Sequence, residues 1–103
     1  MKELDREGFE QAISGPRPAV VDFWAGWCMP CKIFAPVMED VARALGSKVD
    51  FYKVNIDEYS DLAEKYEVSS IPTVILFKDG QEVGQMIGVR SKDDVIEMIE
   101  KVL

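Results

Sequence analysis

Cys28 and Cys31 are the only cysteines of the chain, and they stand three positions apart in Phe23-Trp24-Ala25-Gly26-Trp27-Cys28-Met29-Pro30-Cys31-Lys32. Ahead of them, Ala19-Val20-Val21-Asp22-Phe23-Trp24 reads as a buried strand; behind them the apolar spacing becomes helical. A strand that delivers two thiols to a helix start puts them where orphan backbone N–H groups and the helix dipole favour a thiolate. Pro30 suits the first helical turn, where its missing N–H costs no bond. The arrangement implies dithiol–disulfide exchange.

Three other uses of the pair compete. A disulfide closing so short a loop stabilises by only about 2 kcal/mol before strain is subtracted, which makes a poor staple. Structural zinc takes about four ligands, and the chain has two cysteines and no histidine, so a metal would have to be shared between two chains. Inert core cysteines belong on the apolar face of one element, not on either side of a Met-Pro turn. No metal site is expected.

Composition narrows the function class. The 103 residues are enough for one domain with a real core, and 48% of them are apolar. A net charge of −7 disfavours nucleic acid and anionic membrane as partners. The longest apolar stretch, Ile71 to Phe77, is far short of the roughly 20 residues a membrane span needs. Met1-Lys2-Glu3-Leu4-Asp5-Arg6-Glu7 has no apolar signal core, so a cytoplasmic protein is expected, and there a cysteine pair is more often catalytic than structural.

The elements that must position the cysteines follow from periodicity. Residues 2–4 suggest a short edge strand, and residues 5–14 a helix capped by Asp5 with Phe9, Ala12 and Ile13 on one face, Gly8 weakening it. Gly15-Pro16-Arg17-Pro18 breaks it. Residues 19–25 are apolar on both alternating faces apart from Asp22, as in a strand covered on both sides. Asp22 shares its face with Val20 and Trp24, which favours burial over edge exposure. A buried carboxyl without a partner has a raised pKa; a side chain hydrogen-bonded to nearby groups with no part in chemistry is the alternative. Residues 28–45 form the longest helix, with a stripe of Phe34, Val37, Met38, Val41 and Leu45, a kink expected at Pro36, and an end at Gly46.

Residues 49–55 alternate as a strand that places Lys53 on the face of Phe51, either snorkelling to the surface or reaching a buried carboxylate. A helix over 57–66 turns Tyr59, Leu62, Ala63 and Tyr66 inward, with Asp57, Glu58 and Asp61 suited to its dipole. Residues 69–73 turn into a strand over 74–78. Asp79-Gly80 marks a hairpin into 81–87, and Ser91 caps a last helix whose apolar side is Val95, Ile96, Ile99, Val102 and Leu103. The pattern predicts an α/β fold with a mixed central sheet of about five strands flanked by four helices, in a single domain over 1–103.

Trp27-Cys28-Met29-Pro30-Cys31-Lys32, preceded by Asp22-Phe23-Trp24-Ala25, strongly resembles the active site of the thioredoxin family. The likeness runs on through Pro36, Lys53, Ile71-Pro72-Thr73, Phe77-Lys78-Asp79-Gly80, Gly84 and Gly88. The resemblance implies the thioredoxin fold, with Cys28 as attacking thiol and Cys31 as the buried thiol that resolves the mixed disulfide. It implies Asp22 as proton carrier for Cys31, with Lys53 near its carboxylate, and Trp24 and Pro30 as structural parts of the site. It also implies a cis Ile71–Pro72 bond facing the cysteines, which fits the confinement of cis bonds to proline. A substrate backbone would pair with Ile71, flanked by Trp27, Gly88 and Val89, each a position for which ordinary half-buried packing at a sheet end is the alternative. Pro72 and Met29 complete the substrate-binding set that the resemblance implies. Met29 stands where the family's usual residue is glycine, which bears on redox potential and partner choice.

The expected activity is therefore a protein-disulfide reductase with no cofactor beyond the Cys28–Cys31 disulfide. Its clients are disulfide-containing proteins, and a thioredoxin reductase, flavoprotein or ferredoxin-linked, re-reduces a monomer. An oxidase or isomerase of an oxidising compartment and a non-enzymatic subunit of a larger complex are the competing classes.

Overall fold

The computed structural model describes residues 1–103. Its centre is β2 (Ala19–Trp24), whose apolar run leaves almost no residue exposed because both faces are covered. On one side β2 pairs in parallel with β3 (Asp50–Asn55), which pairs in parallel with the edge strand β1 (Lys2–Glu3). On the other it pairs antiparallel with β4 (Thr73–Lys78), followed by β5 (Gln81–Ile87), giving the order β1-β3-β2-β4-β5. The mixed five-stranded sheet expected from the sequence is the observed one.

Four helices cover the two faces. Phe34, Met38, Val41 and Leu45 of α2 (Met29–Leu45) pack with Val95 and Ile99 of α4 (Lys92–Val102) against Val20, Val74 and Leu76. Phe9 and Ile13 of α1 (Arg6–Ser14) and Leu62 of α3 (Ser60–Lys65) fill the opposite face with Val21, Phe23, Ile75 and Phe77. Burial of each such side chain contributes about 1.5–3 kcal/mol. Leu103 is 42% exposed and lies outside the apolar side expected of α4.

Local rules explain most boundaries. The Asp5 carboxylate accepts from the Gly8 N–H at 2.7 Å and caps α1; a Cβ at Gly8 would lie 3.0 Å from that carboxylate, so the glycine makes room for the cap. Ser91 caps α4 through the Asp94 N–H. Asp79 and Gly80, with φ of 55° and 81°, form the tight turn of the β4–β5 hairpin. The α2 helix runs through Pro36 to Gly46, but Gly46 is right-handed rather than left-handed. Glycine is needed there because a Cβ would come within 2.8 Å of the Ala42 carbonyl oxygen. Arg17 donates to the Gly46 and Ser47 carbonyls at 2.8 and 3.1 Å, satisfying the helix end from the breaker segment. The α3 helix begins at Ser60, not Asp57, and has no side-chain cap.

Candidate active site

The chain leaves β2 at Trp24, turns through Ala25-Gly26-Trp27, and enters α2 with Cys28 as the capping residue. Cys28 Sγ accepts the Cys31 N–H at 3.2 Å, so one orphan donor of the helix start points at the sulfur. Pro30 occupies the first turn of the helix, as its geometry favours. Cys28 and Cys31 form a disulfide with their Cα atoms 5.3 Å apart. The structure is thus that of the oxidised state.

Burial does not separate the two cysteines: Cys28 is 3% and Cys31 5% exposed. Their surroundings do. Cys28 Sγ lies 3.8 Å from the Ile71 carbonyl oxygen, a contact rather than a hydrogen bond, since a disulfide sulfur carries no proton. The Ile71–Pro72 bond is cis, and Gly88, at φ 86°, donates its N–H to the Pro72 carbonyl at 2.8 Å. Cys31 instead lines a small cavity of about 180 Å³ with Asp22, Trp24, Lys32, Ala35 and Lys53.

Asp22 is the charged residue of the core, 5% exposed, and its Oδ1 has no hydrogen-bond partner in the protein. Burial pushes its carboxyl up to about 7; Lys53 opposes the shift and Glu3 adds to it. Lys53 sits in register with Asp22 across β2 and β3, but its ammonium is turned to Glu3, 3.8 Å from Oε1, and lies 4.3 Å from the centre of the Trp24 ring. Of the two fates read for Lys53, neither is complete: its side chain is partly exposed and paired with a carboxylate at the sheet edge.

Around the disulfide the surface is apolar. Trp27 and Met29 are 69% and 65% exposed, Val89 44%, and Ile71 is half-buried, while Pro72 is buried behind them. The Trp27 indole N–H donates to Asp57 Oδ1 at 3.2 Å, which fixes the ring beside the cysteines. Asp57 thus holds Trp27, a contact beyond the helix-dipole role that sequence reasoning gives it. Ile33, 62% exposed and one helical turn beyond Met29, extends the apolar rim and was missed by the sequence reading. A signal existed: Ile33 lies off the Phe34–Met38–Val41–Leu45 stripe and had no core to fill.

Comparison with known proteins adds family membership to this geometry. The family model "Thioredoxin" matches residues 1–101. The chain is 45% identical to a thioredoxin of Alicyclobacillus acidocaldarius over 97% of its own length and 95% of the relative's. It is 49% identical to a thioredoxin of Staphylococcus aureus over 80% and 79%. The crystal structure of Malassezia sympodialis thioredoxin superimposes with a TM-score of 0.90 at 34% identity, covering 98% of this chain and 91% of that one.

Proposed function

The chain belongs to the thioredoxin family, and from that premise we propose that Cys28 attacks a client disulfide and Cys31 resolves it. The protein is a thiol–disulfide oxidoreductase acting through this redox-active disulfide, and in this family a thioredoxin reductase restores the dithiol. In the reduced protein the Cys28 thiolate attacks one client sulfur; the client S–S bond breaks and the first client thiolate leaves and takes up a proton. Cys31 then gives its proton to the Asp22 carboxylate and attacks Cys28 Sγ, releasing the second client thiolate and closing the Cys28–Cys31 disulfide. Two electrons pass from the protein dithiol to the client, with no cofactor beyond the disulfide.

The observation that carries this order is the opposite surroundings of the two sulfurs. Cys28 Sγ faces the Ile71 carbonyl and the apolar rim, whereas Cys31 lines the cavity shared with Asp22. The N–H directed at Cys28 Sγ favours a thiolate there once the disulfide opens. A client strand would pair with Ile71 in front of Pro72 and rest on Trp27, Met29, Gly88 and Val89. Trp24 and Pro30 hold the site in shape, one as a wall of the cavity and the other inside the first turn of α2. Residues 1–103 act as one domain and a monomer, in a reducing cytoplasm that keeps the dithiol available. The net charge of −7 argues against nucleic acid or anionic membrane as a partner. No helix is long and apolar enough to cross a membrane.

Trapping tests the order of attack. Cys31→Ser is expected to accumulate a stable mixed disulfide through Cys28 when mixed with an oxidised protein substrate, and Cys28→Ser to trap little, both read by mass spectrometry. Equal trapping by the two variants would overturn the assignment.

A further inference from the structure

Across the first three strands of the sheet, two carboxylates flank one lysine. Glu3 of β1 is the register partner of Lys53, and Lys53 is the register partner of Asp22 on β2. Directly opposed residues share a face of a sheet, so the three side chains stand in one row on the side covered by α2. Glu3 is nearly half exposed at the sheet edge, while Asp22 is buried beneath Cys31. Lys53 Nζ lies 3.8 Å from Glu3 Oε1, and Asp22 makes no ion pair within 4 Å.

We propose that Glu3 is a positioning residue for the resolving step, drawing the Lys53 ammonium to the sheet edge in competition with Asp22. The inference rests on the reading of Asp22 as proton carrier for Cys31. Proton transfer works best when the acceptor's proton affinity is close to the working pH. A lysine paired directly with Asp22 would hold it ionised and make it a weaker base for the thiol. Glu3 opposes that pairing in two ways: it attracts Lys53, and its own charge disfavours a second anion in the row.

The other groups facing Asp22 leave this role to Glu3. From α2 come Cys31 and Lys32, which line the same cavity. From β4 comes the apolar Val74, the register partner of Asp22. On its own strand stands Trp24, whose ring lies under Lys53 and forms a wall both of the Asp22 cavity and of the groove that holds Glu3 and Glu58. Burial raises the proton affinity of Glu3, Lys53 and the Trp24 side chain oppose it, and Glu58 adds a smaller upward push. Glu3 is therefore the anion nearest to Lys53 in the row.

The test is a titration of the oxidised protein, in which neither cysteine ionises. The 13C carboxyl resonance of Asp22, assigned by its loss in Asp22→Asn, is followed against pH in the wild type and in Glu3→Gln. Glu3→Gln should lower the Asp22 midpoint by roughly one pH unit, the size expected when a cation gains access to a carboxylate. In a Lys53→Gln background the same substitution should produce a much smaller shift, since there is no ammonium left to compete for. The pH profile of mixed-disulfide resolution in Glu3→Gln should move in the same direction as the midpoint. A midpoint unmoved by Glu3→Gln, an equal shift in both backgrounds, or an unmoved resolution profile would each overturn the role of Glu3. A resolution profile that Asp22→Asn leaves unchanged would instead overturn the reading of Asp22 as proton carrier.

Discussion

Replacing Asp22 by asparagine should make the oxidised protein more stable at pH 8, by a margin that grows as pH rises. The folded carboxyl titrates near 7 against an ordinary value of 3.8, because burial penalises its charged form. Asp22 therefore binds its proton more tightly folded than unfolded. Its contribution to stability is fully present below the unfolded value and is lost as pH rises through about 7. The complete loss is about three units at ~1.36 kcal/mol each, or about 4 kcal/mol. Residual exposure is only 5%, so solvent screening reduces this little.

An asparagine amide in the same place costs about 1–3 kcal/mol if its polar atoms find no partner, less than the full penalty on the carboxylate. That cost does not vary with pH, so the difference between two pH values isolates the charge. From pH 5 to pH 8 the advantage of Asp22→Asn should widen by roughly 3 kcal/mol, about two units of titration. With a urea slope of about 1.5 kcal/mol per molar, that is roughly 2 M in midpoint. Urea unfolding of both proteins at pH 5 and 8, with the disulfide intact, reads it directly. An advantage that stays constant, or a variant less stable than wild type at pH 8, would show that Asp22 is a paired or exposed carboxylate in the folded protein.

Two further substitutions probe the exposed rim. Met29→Gly should raise the redox potential by less than about 30 mV, equivalent to ~1.4 kcal/mol: the side chain is largely exposed and only weakly desolvates the neighbouring thiolate, and glycine loosens the open dithiol loop. Titration of both proteins against one glutathione buffer checks this, and a shift beyond about 60 mV or toward a more negative value would refute it. Ile33→Ser should raise the KM for the reductase or for protein clients several-fold, as loss of roughly 1 kcal/mol of apolar contact does, with kcat and potential unchanged. An unchanged KM for the reductase and for several clients would place Ile33 outside the docking surface.

Legibility of the sequence tracked how local each determinant is. Asp5, Ser91 and the Asp79-Gly80 pair act within four residues of chain, and each forms the cap or turn that its residue type predicts. The burial of Asp22 was readable from alternation, because Val20 and Trp24 flank it on one face of a strand apolar on both sides. The helix start beneath Cys28 was readable from Pro30 and from the stripe that follows. Gly46 ends α2 as the sequence predicts, although helices that end on glycine commonly do so through a left-handed residue. What requires glycine is the closeness of the Ala42 carbonyl, not a left-handed turn.

Contacts between distant segments were not legible, and the charges around the site consist largely of these. Trp27 and Asp57 are thirty positions apart, and nothing in either stretch marks them as partners. Lys53 shows the limit most clearly, since periodicity gives the face a residue occupies but not the residue opposite it on the next strand. That neighbour depends on a register set by β1, a strand of only two residues with no turn joining it to β3. A shift of that register by one position would turn Glu3 to the other face of the sheet and remove the anion competing for Lys53. The burial of Asp22 is thus written into its own strand, whereas the balance of charge around it depends on the pairing of the edge strand.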